Sequence, residues 1–243
     1  MHWTTNPRLP SVWWVTAVST RSPIRSNVGL KAVMAVTGIL LVLFLIAHMI
    51  GNLKIFFGPA DFDHYAHWLR TIGAPVLPED WYLWGQRVLL GAALVAHIWA
   101  AAVLARRARA ARPVRYVHRP KVQVSYAART MRWGGVIIAL FVVYHLLDLT
   151  TGDLNPVADQ RRPYANVVAD FAPERWWVTL IYVIGIVTLG FHLRHGMFSA
   201  LRSLGQQTPR GERRARSAAL VFAVALCAGY LVVPFAVLAG LVG

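Results

Sequence analysis

Five stretches of the chain are continuously apolar, and polar, charge-bearing segments separate them. They run roughly over Leu30–Phe57, Trp81–Leu104, Trp133–Leu149, Trp176–Phe198 and Ser217–Val242. At a rise of about 1.5 Å per residue each is long enough to cross about 30 Å of hydrocarbon, the third being the shortest. The runs do not alternate apolar with polar residues, so they predict helices and not the strands of a barrel. Pro234 lies inside the fifth run and predicts a bend there. Between the first two runs, Asp61–Ile72 places Phe62, Tyr65, Trp68 and Leu69 at helical spacing. This segment predicts a short amphipathic helix along the membrane interface. Trp81, Tyr82, Trp84, Trp176 and Trp177 stand where an interfacial aromatic belt is expected.

Composition agrees with this pattern. Of 243 residues, 57% are hydrophobic and 14% charged, with a mean hydropathy of +0.49, against about 25% charged in soluble domains. The net charge of +15 lies in short segments between apolar runs. That distribution argues against nucleic acid as a partner, which would need a basic surface on a soluble fold. Instead the cations set orientation. Arg8, Arg21, Arg25 and Lys31 precede the first run. Arg106, Arg107, Arg109, Arg112, Arg115, Arg119, Lys121, Arg129 and Arg132 lie between the second and third. Arg202, Arg210, Arg213, Arg214 and Arg216 lie between the fourth and fifth. The other two connections carry Asp61, Asp63, Glu79 and Asp80, and then Asp153, Asp159, Asp170 and Glu174. Basic and acidic connections alternate as five spans require, so the N-terminus is expected in the cytoplasm and the C-terminus outside. One cysteine, Cys227, excludes a disulfide framework within the chain and an iron–sulfur cluster held by several of its own cysteines. The N-terminus shows no short apolar core with a small-residue cleavage site, so the first helix is expected to stay.

Nine histidines are present, and five fall inside apolar runs: His48, His97, His145, His192 and His195. An imidazole in hydrocarbon needs a partner, and one on each of four successive spans points to a site. Depth sorts them. The first and third spans travel outward and carry His48 and His145 in their outer halves. The second and fourth travel inward and carry His97 and His192 in their inner halves. Two pairs follow, His48 with His145 and His97 with His192, separated by about eight residues or roughly 12 Å along the membrane normal. A zinc or di-iron site would bring further carboxylates or histidines to the same level. Two neutral imidazoles with no third ligand suit six-coordinate haem, whose closed coordination serves electron transfer. The expectation is an all-α membrane protein in which the first four spans form a bundle around two b-type haems. Gly38, Gly51, Gly91, Ala93, Gly185 and Gly190 are small neighbours on these spans, equally suited to close helix packing. Candidates for the haem propionates are Lys31, Arg132 and Arg194 at the inner level, and Lys54, Arg87, His64 and His67 at the outer.

Several stretches carry a resemblance to a known family. KAVMAVTG begins at Lys31, HMIGNLKIFFG at His48 and HLRHGMFSALRSLG at His192, and the four histidines are spaced by 49, 48 and 47 residues. From about Ser22 to the end the chain resembles the b558-type cytochrome b subunit of succinate dehydrogenases and fumarate reductases, the single-chain, five-helix, dihaem anchor. The resemblance implies haem ligation by His48, His97, His145 and His192, with His195 in the surroundings of the inner haem. It implies a flavoprotein subunit and an iron–sulfur subunit on the cytoplasmic face of a bacterial plasma membrane. It also implies electron delivery from succinate to quinone, typically menaquinone, with no succinate chemistry on this chain and with room for a higher oligomer of the complex. Two quinone positions are open: an outer one near Asp63, His64, His67 and Arg70, and an inner one near Arg25, Ser26 and Lys31. Residues 1–21, with Trp3, Trp13 and Trp14, form a separate N-terminal interfacial segment outside the resemblance. Two other readings use the same histidines, the cytochrome b of a membrane hydrogenase or formate dehydrogenase, and a haem-free anchor or small proton-coupled transporter.

Overall fold

A computed structural model describes residues 26–111, 123–203 and 208–243, without the side chains of 123–130 and 201–203. Residues 1–21 and Arg25 lie outside the described residues. The elements are α1 (Asn27–Leu53), α2 (Pro59–Thr71), α3 (Trp81–Ala110), α4 (Gln123–His145), α5 (Pro163–Asp170), α6 (Trp176–Ser203) and α7 (Pro209–Leu238). A 3-10 turn over Lys54–Phe57 extends α1, and a π-helical turn over Leu146–Thr150 extends α4. Among the described residues there is no strand. Five helices among the described residues are long and apolar enough to cross a membrane: Asn27–Phe57, Trp81–Ala110, Met131–Thr150, Pro173–Ala200 and Pro209–Leu238.

Local chemistry starts and stops these helices. The Ser26 hydroxyl accepts from the Gly29 N–H at 2.9 Å and caps α1. Thr208 does the same for α7 through Gly211 at 3.1 Å. Pro59, Pro163 and Pro209 open α2, α5 and α7, where a missing N–H costs nothing. Gly58, with φ of 94°, makes the corner between the 3-10 turn and α2. The helices run past the apolar stretches on the side where arginines gather: α3 reaches Ala110, α6 reaches Ser203 and α7 begins at Pro209. Arginine is a good helix former, and its long stem keeps the charge in water while the backbone stays helical. Helix α7 continues through the buried Pro234.

The closest pairings are α1 with α3, α4 with α6, α6 with α7 and α1 with α7. Small residues allow the tight ones. Ala215, Ala219 and Ala223 form a buried stripe on α7, Gly190 faces the Cys227 thiol and Gly185 faces the Phe141 ring. Large apolar side chains such as Leu43, Val88, Leu140, Phe191 and Val221 stay exposed on the spans, as a lipid-facing surface allows. At one end α2 packs on α5 and α3, and Asp63 on α2 accepts from the Tyr164 N–H of α5 at 2.8 Å. Beneath this α2/α5 layer lies the main core, with Ile55, Phe62, Phe171, Val178, Tyr182 and Val237 among its members. The opposite end carries Lys31, Arg106, Arg107, Arg109, Arg132, Arg194, Arg210, Arg213 and Arg214. We call it the arginine face.

Candidate site: two histidine pairs at two levels

The first pair lies toward the α2/α5 layer. His48 stands near the end of α1 and His145 is the last residue of α4; their ring centroids are 5.8 Å apart. Aromatic rings wall the pair. Phe44 stacks on His48 at 5.2 Å and Tyr230 approaches it at 6.0 Å. Phe141 and Tyr182 flank His145 at 6.1 and 5.8 Å. His145 Nδ1 lies 3.1 Å from the Tyr182 oxygen, and the Tyr182 O–H donates to Asp148 Oδ2 at 2.9 Å. A phenol has one proton. With that proton given to Asp148, the Tyr182 oxygen accepts from His145 Nδ1–H, and His145 Nε2 keeps its lone pair.

The second pair lies toward the arginine face. His97 on α3 and His192 on α6 have centroids 6.4 Å apart. The tautomer logic repeats with different partners. Thr37 Oγ1 donates to the Val33 carbonyl one turn back at 2.7 Å, so its contact with His97 Nδ1 at 3.1 Å must be donated by the ring. His97 Nε2 is thereby left as an acceptor or ligand. Gly38, next to Thr37, admits the ring. A Cβ there would stand 3.5 Å from His97 Cε1. His192 Nδ1 is buried with no protein partner among the described residues. His195 sits one turn further along α6, half-buried.

The two levels can be measured along either side of the bundle. Thr37 marks the His97 level on α1, and His48 is 11 residues on, or about 16 Å. Tyr182 marks the His145 level on α6, and His192 is 10 residues on, or about 15 Å. Both exceed the roughly 12 Å expected from sequence. That figure took the apolar stretches for the helices, whereas the helices extend past them on the arginine face.

The remaining sequence candidates fall in varied places. Ser26 is the cap of α1. Lys31, Arg194, His64 and His67 are exposed. Arg70 pairs with Asp80 at 3.1 Å. The Arg87 guanidinium lies over the Trp84 ring of its own helix at 5.1 Å, and Lys54 over Phe57 and Tyr65, both at 5.6 Å. Arg132 lines a cavity of about 470 Å³ together with Arg109, Trp133 and Val136, between α3 and α4 at the arginine face. Of the small residues, Gly38 borders a histidine, Gly51 faces the Tyr65 ring, and a Cβ on Gly91 would meet nothing within 4 Å.

Thr37, Tyr182, Arg109 and a buried acid cluster escaped the sequence reading. Asp148 and Asp170 are fully buried, and Arg175 pairs with Asp170 at 2.9 Å. Burial, then the neighbouring Asp148 carboxyl, pushes the Asp170 carboxyl up to about 8, and Arg175 opposes this without cancelling it. The only one-dimensional signal was a carboxylate near each of two span ends.

Among the described residues no three His, Cys, Asp or Glu side chains converge on one point; four of the five histidines in the spans meet in twos. These features define a multi-pass membrane protein with paired imidazoles at two depths. The chain belongs to the succinate dehydrogenase/fumarate reductase transmembrane subunit family, whose family model matches residues 105–232. The matched stretch runs from late α3 into α7 and includes His145, His192, Asp148 and Tyr182, while His48 and His97 precede it. No curated protein and no solved structure matches the chain.

Proposed function

We propose that the chain is the dihaem cytochrome b anchor of a succinate:quinone oxidoreductase, with one haem held by His48 and His145 and the other by His97 and His192. The carrying observation is that two imidazole pairs, at separate depths, each include a ring whose Nδ1–H is committed and whose Nε2 is free. Two imidazoles that together held one metal ion by bonds of about 2 Å each would have ring centroids about 6 Å apart. The observed 5.8 and 6.4 Å fit that requirement, and His192 Nδ1 is buried with no hydrogen-bond partner among the described residues. Haem iron with two imidazole ligands has no open position and supplies one-electron transfer.

The residues of the chain do the rest. Thr37 and Tyr182 hold His97 and His145 in the tautomer that presents Nε2, as hydrogen-bond partners of metal-bound histidines do. Phe44, Phe141, Tyr230 and the surrounding apolar side chains keep water from the first pair. Arg109 and Arg132 place cations at the mouth of the cavity on the arginine face, where carboxylates of a bound group would be neutralised. The excess of Lys and Arg supports a cytoplasmic position for that face; on this reading a flavoprotein subunit and an iron–sulfur subunit dock there, and the chain lies in a bacterial plasma membrane. On this reading electrons from succinate enter at the arginine face and pass to a quinone such as menaquinone, and the chain performs no succinate chemistry itself.

A pyridine haemochrome assay with metal analysis on the purified complex tests the reading. Two b-type haems per chain are expected, and fewer than one overturns it. Substituting alanine for His97 or His192 is expected to remove one haem and leave the other. Retention of both overturns the ligand assignment.

A further inference from the structure

The proposed electron path makes no use of the buried acid cluster. Asp148 lies in the π-helical turn after α4, and Asp170 closes α5; both have zero exposure. Asp148 Oδ2 accepts from Tyr182 at 2.9 Å, and Asp170 Oδ1 accepts from Arg175 Nη2 at 2.9 Å. The other oxygen of each, Asp148 Oδ1 and Asp170 Oδ2, is buried without a donor, although the two carboxyl groups are within hydrogen-bonding reach of each other. The groups facing them are Arg175, just before α6, Tyr182 on α6 and Tyr144 on α4, with His145 beyond Tyr182. One cation therefore confronts two carboxylates. Adjacent buried carboxylates do not both ionise, and an unpaired buried oxygen is costly. A single proton between the two orphaned oxygens satisfies both and leaves the cluster, Arg175 included, neutral.

We propose that Asp148 and Asp170 share one exchangeable proton and form a buried acid site beneath the α2/α5 layer, linked through Tyr182 to Nδ1 of His145. The raised ionisation range of Asp170 points the same way. The side chain nearest to solvent is that of Arg175, 24% exposed, which also donates to the Leu154 carbonyl at 3.3 Å. Loss of the proton leaves one net negative charge at the far end of the hydrogen bond that orients His145. The site thus gives that ring a pH-sensitive neighbour, a role that rests on the haem reading above. The proton itself does not.

Infrared spectroscopy of the intact complex, with hydrogen–deuterium exchange, tests this. A protonated-carboxyl band is expected that disappears as the pH is raised from neutral into the alkaline range, and that is lost in Asp170→Asn and in Asp148→Asn. Absence of a titrating band in the wild type overturns the proposal, and so does its survival in both variants. Asp170→Asn also keeps a donor where the proton stood, so the fall of thermal stability with rising pH is expected to flatten, and an unchanged slope overturns the proposal. The wild-type titration needs no variant to fold. Because the band needs no haem, a haem-free preparation that shows it refutes the preceding reading alone. A dihaem preparation without it refutes only this one.

Discussion

Replacing Thr37 by valine isolates one atom of the site. Valine has the shape of threonine without the hydroxyl, so the packing of a residue with 8% exposure is kept. What disappears is the acceptor 3.1 Å from His97 Nδ1. The ring N–H is then left with only the Met34 carbonyl beside it, a loss that costs up to about 1–3 kcal/mol, or the ring moves its proton to Nε2 and ceases to be a ligand. Removing a hydrogen-bond partner of a metal-bound histidine lowers affinity by about 10- to 100-fold, or about 1.4–2.8 kcal/mol. The two estimates agree, so haem at the His97–His192 level is expected to dissociate about 10- to 100-fold more readily. The His48–His145 level, about 16 Å away along α1, is expected to keep its haem. Transfer of haem to an excess of apo-myoglobin, followed by the reduced-minus-oxidised spectrum, measures this directly. Thr37→Ser retains the hydroxyl and should behave as wild type. Equal haem retention in Thr37→Val and wild type would refute the tautomer argument.

Three further outcomes are expected. Tyr182→Phe removes the acceptor of His145 Nδ1–H and leaves Asp148 Oδ2 without its donor, so haem loss should appear at the first level and spare the second, read by the same transfer assay. Gly185→Leu drives a side chain into the Phe141 ring; overpacking of this kind costs about 1–3 kcal/mol, seen as a lower unfolding temperature in detergent. For pH, the sign follows from Asp170: its carboxyl is pushed up to about 8 when folded and ionises at about 3.9 when unfolded. The folded chain holds a proton that the unfolded chain releases between those values. Its contribution is therefore complete below about pH 4 and is lost as the pH rises through about 8. Thermal unfolding at a series of pH values should show stability declining over that window.

The spans were legible in the sequence because hydropathy is a one-dimensional signal and a bilayer has one thickness. The levels of the four histidines followed from the same source, since position along a span is depth. What the chain does to complete each level was not legible. His97 meets a threonine 60 residues away, and His145 meets a tyrosine 37 residues away. No spacing rule connects them, and Thr37 in isolation reads as a hydroxyl bonding back to its own helix. The charged candidates show the same gap from the other side. Arg70 was expected at an outer quinone position and Arg87 at the level of a haem carboxylate, but depth does not say which way a helix faces. The first is taken by Asp80 and the second lies on Trp84. Asp148 and Asp170 were visible as carboxylates near span ends, yet their meeting depends on the π-helical turn and on α5 folding back beneath α2.

Helix α7 carries none of the four histidines, and its position explains why the chain has it. It wedges between α1 and α6, the helices that bear His48 and His192. The Tyr230 hydroxyl donates to the Leu45 carbonyl of α1 at 2.7 Å, one turn before His48. The Cys227 thiol donates to the Ile186 carbonyl of α6 at 3.4 Å, midway between Tyr182 and His192. Glycines let the helices approach here as well: a Cβ on Gly229 of α7 would collide with the Met49 thioether of α1, and one on Gly190 of α6 with the Cys227 thiol. Side chains of one turn of α7 therefore lock α1 and α6 in register with each other. A slip of α1 by one residue moves His48 by about 1.5 Å along the axis and by about 100° around it, enough to take its ring away from His145. The spacing between the two levels is thus set on α1 and α6 separately, at about 16 and about 15 Å, and α7 is the element that makes those two lengths refer to the same membrane depth.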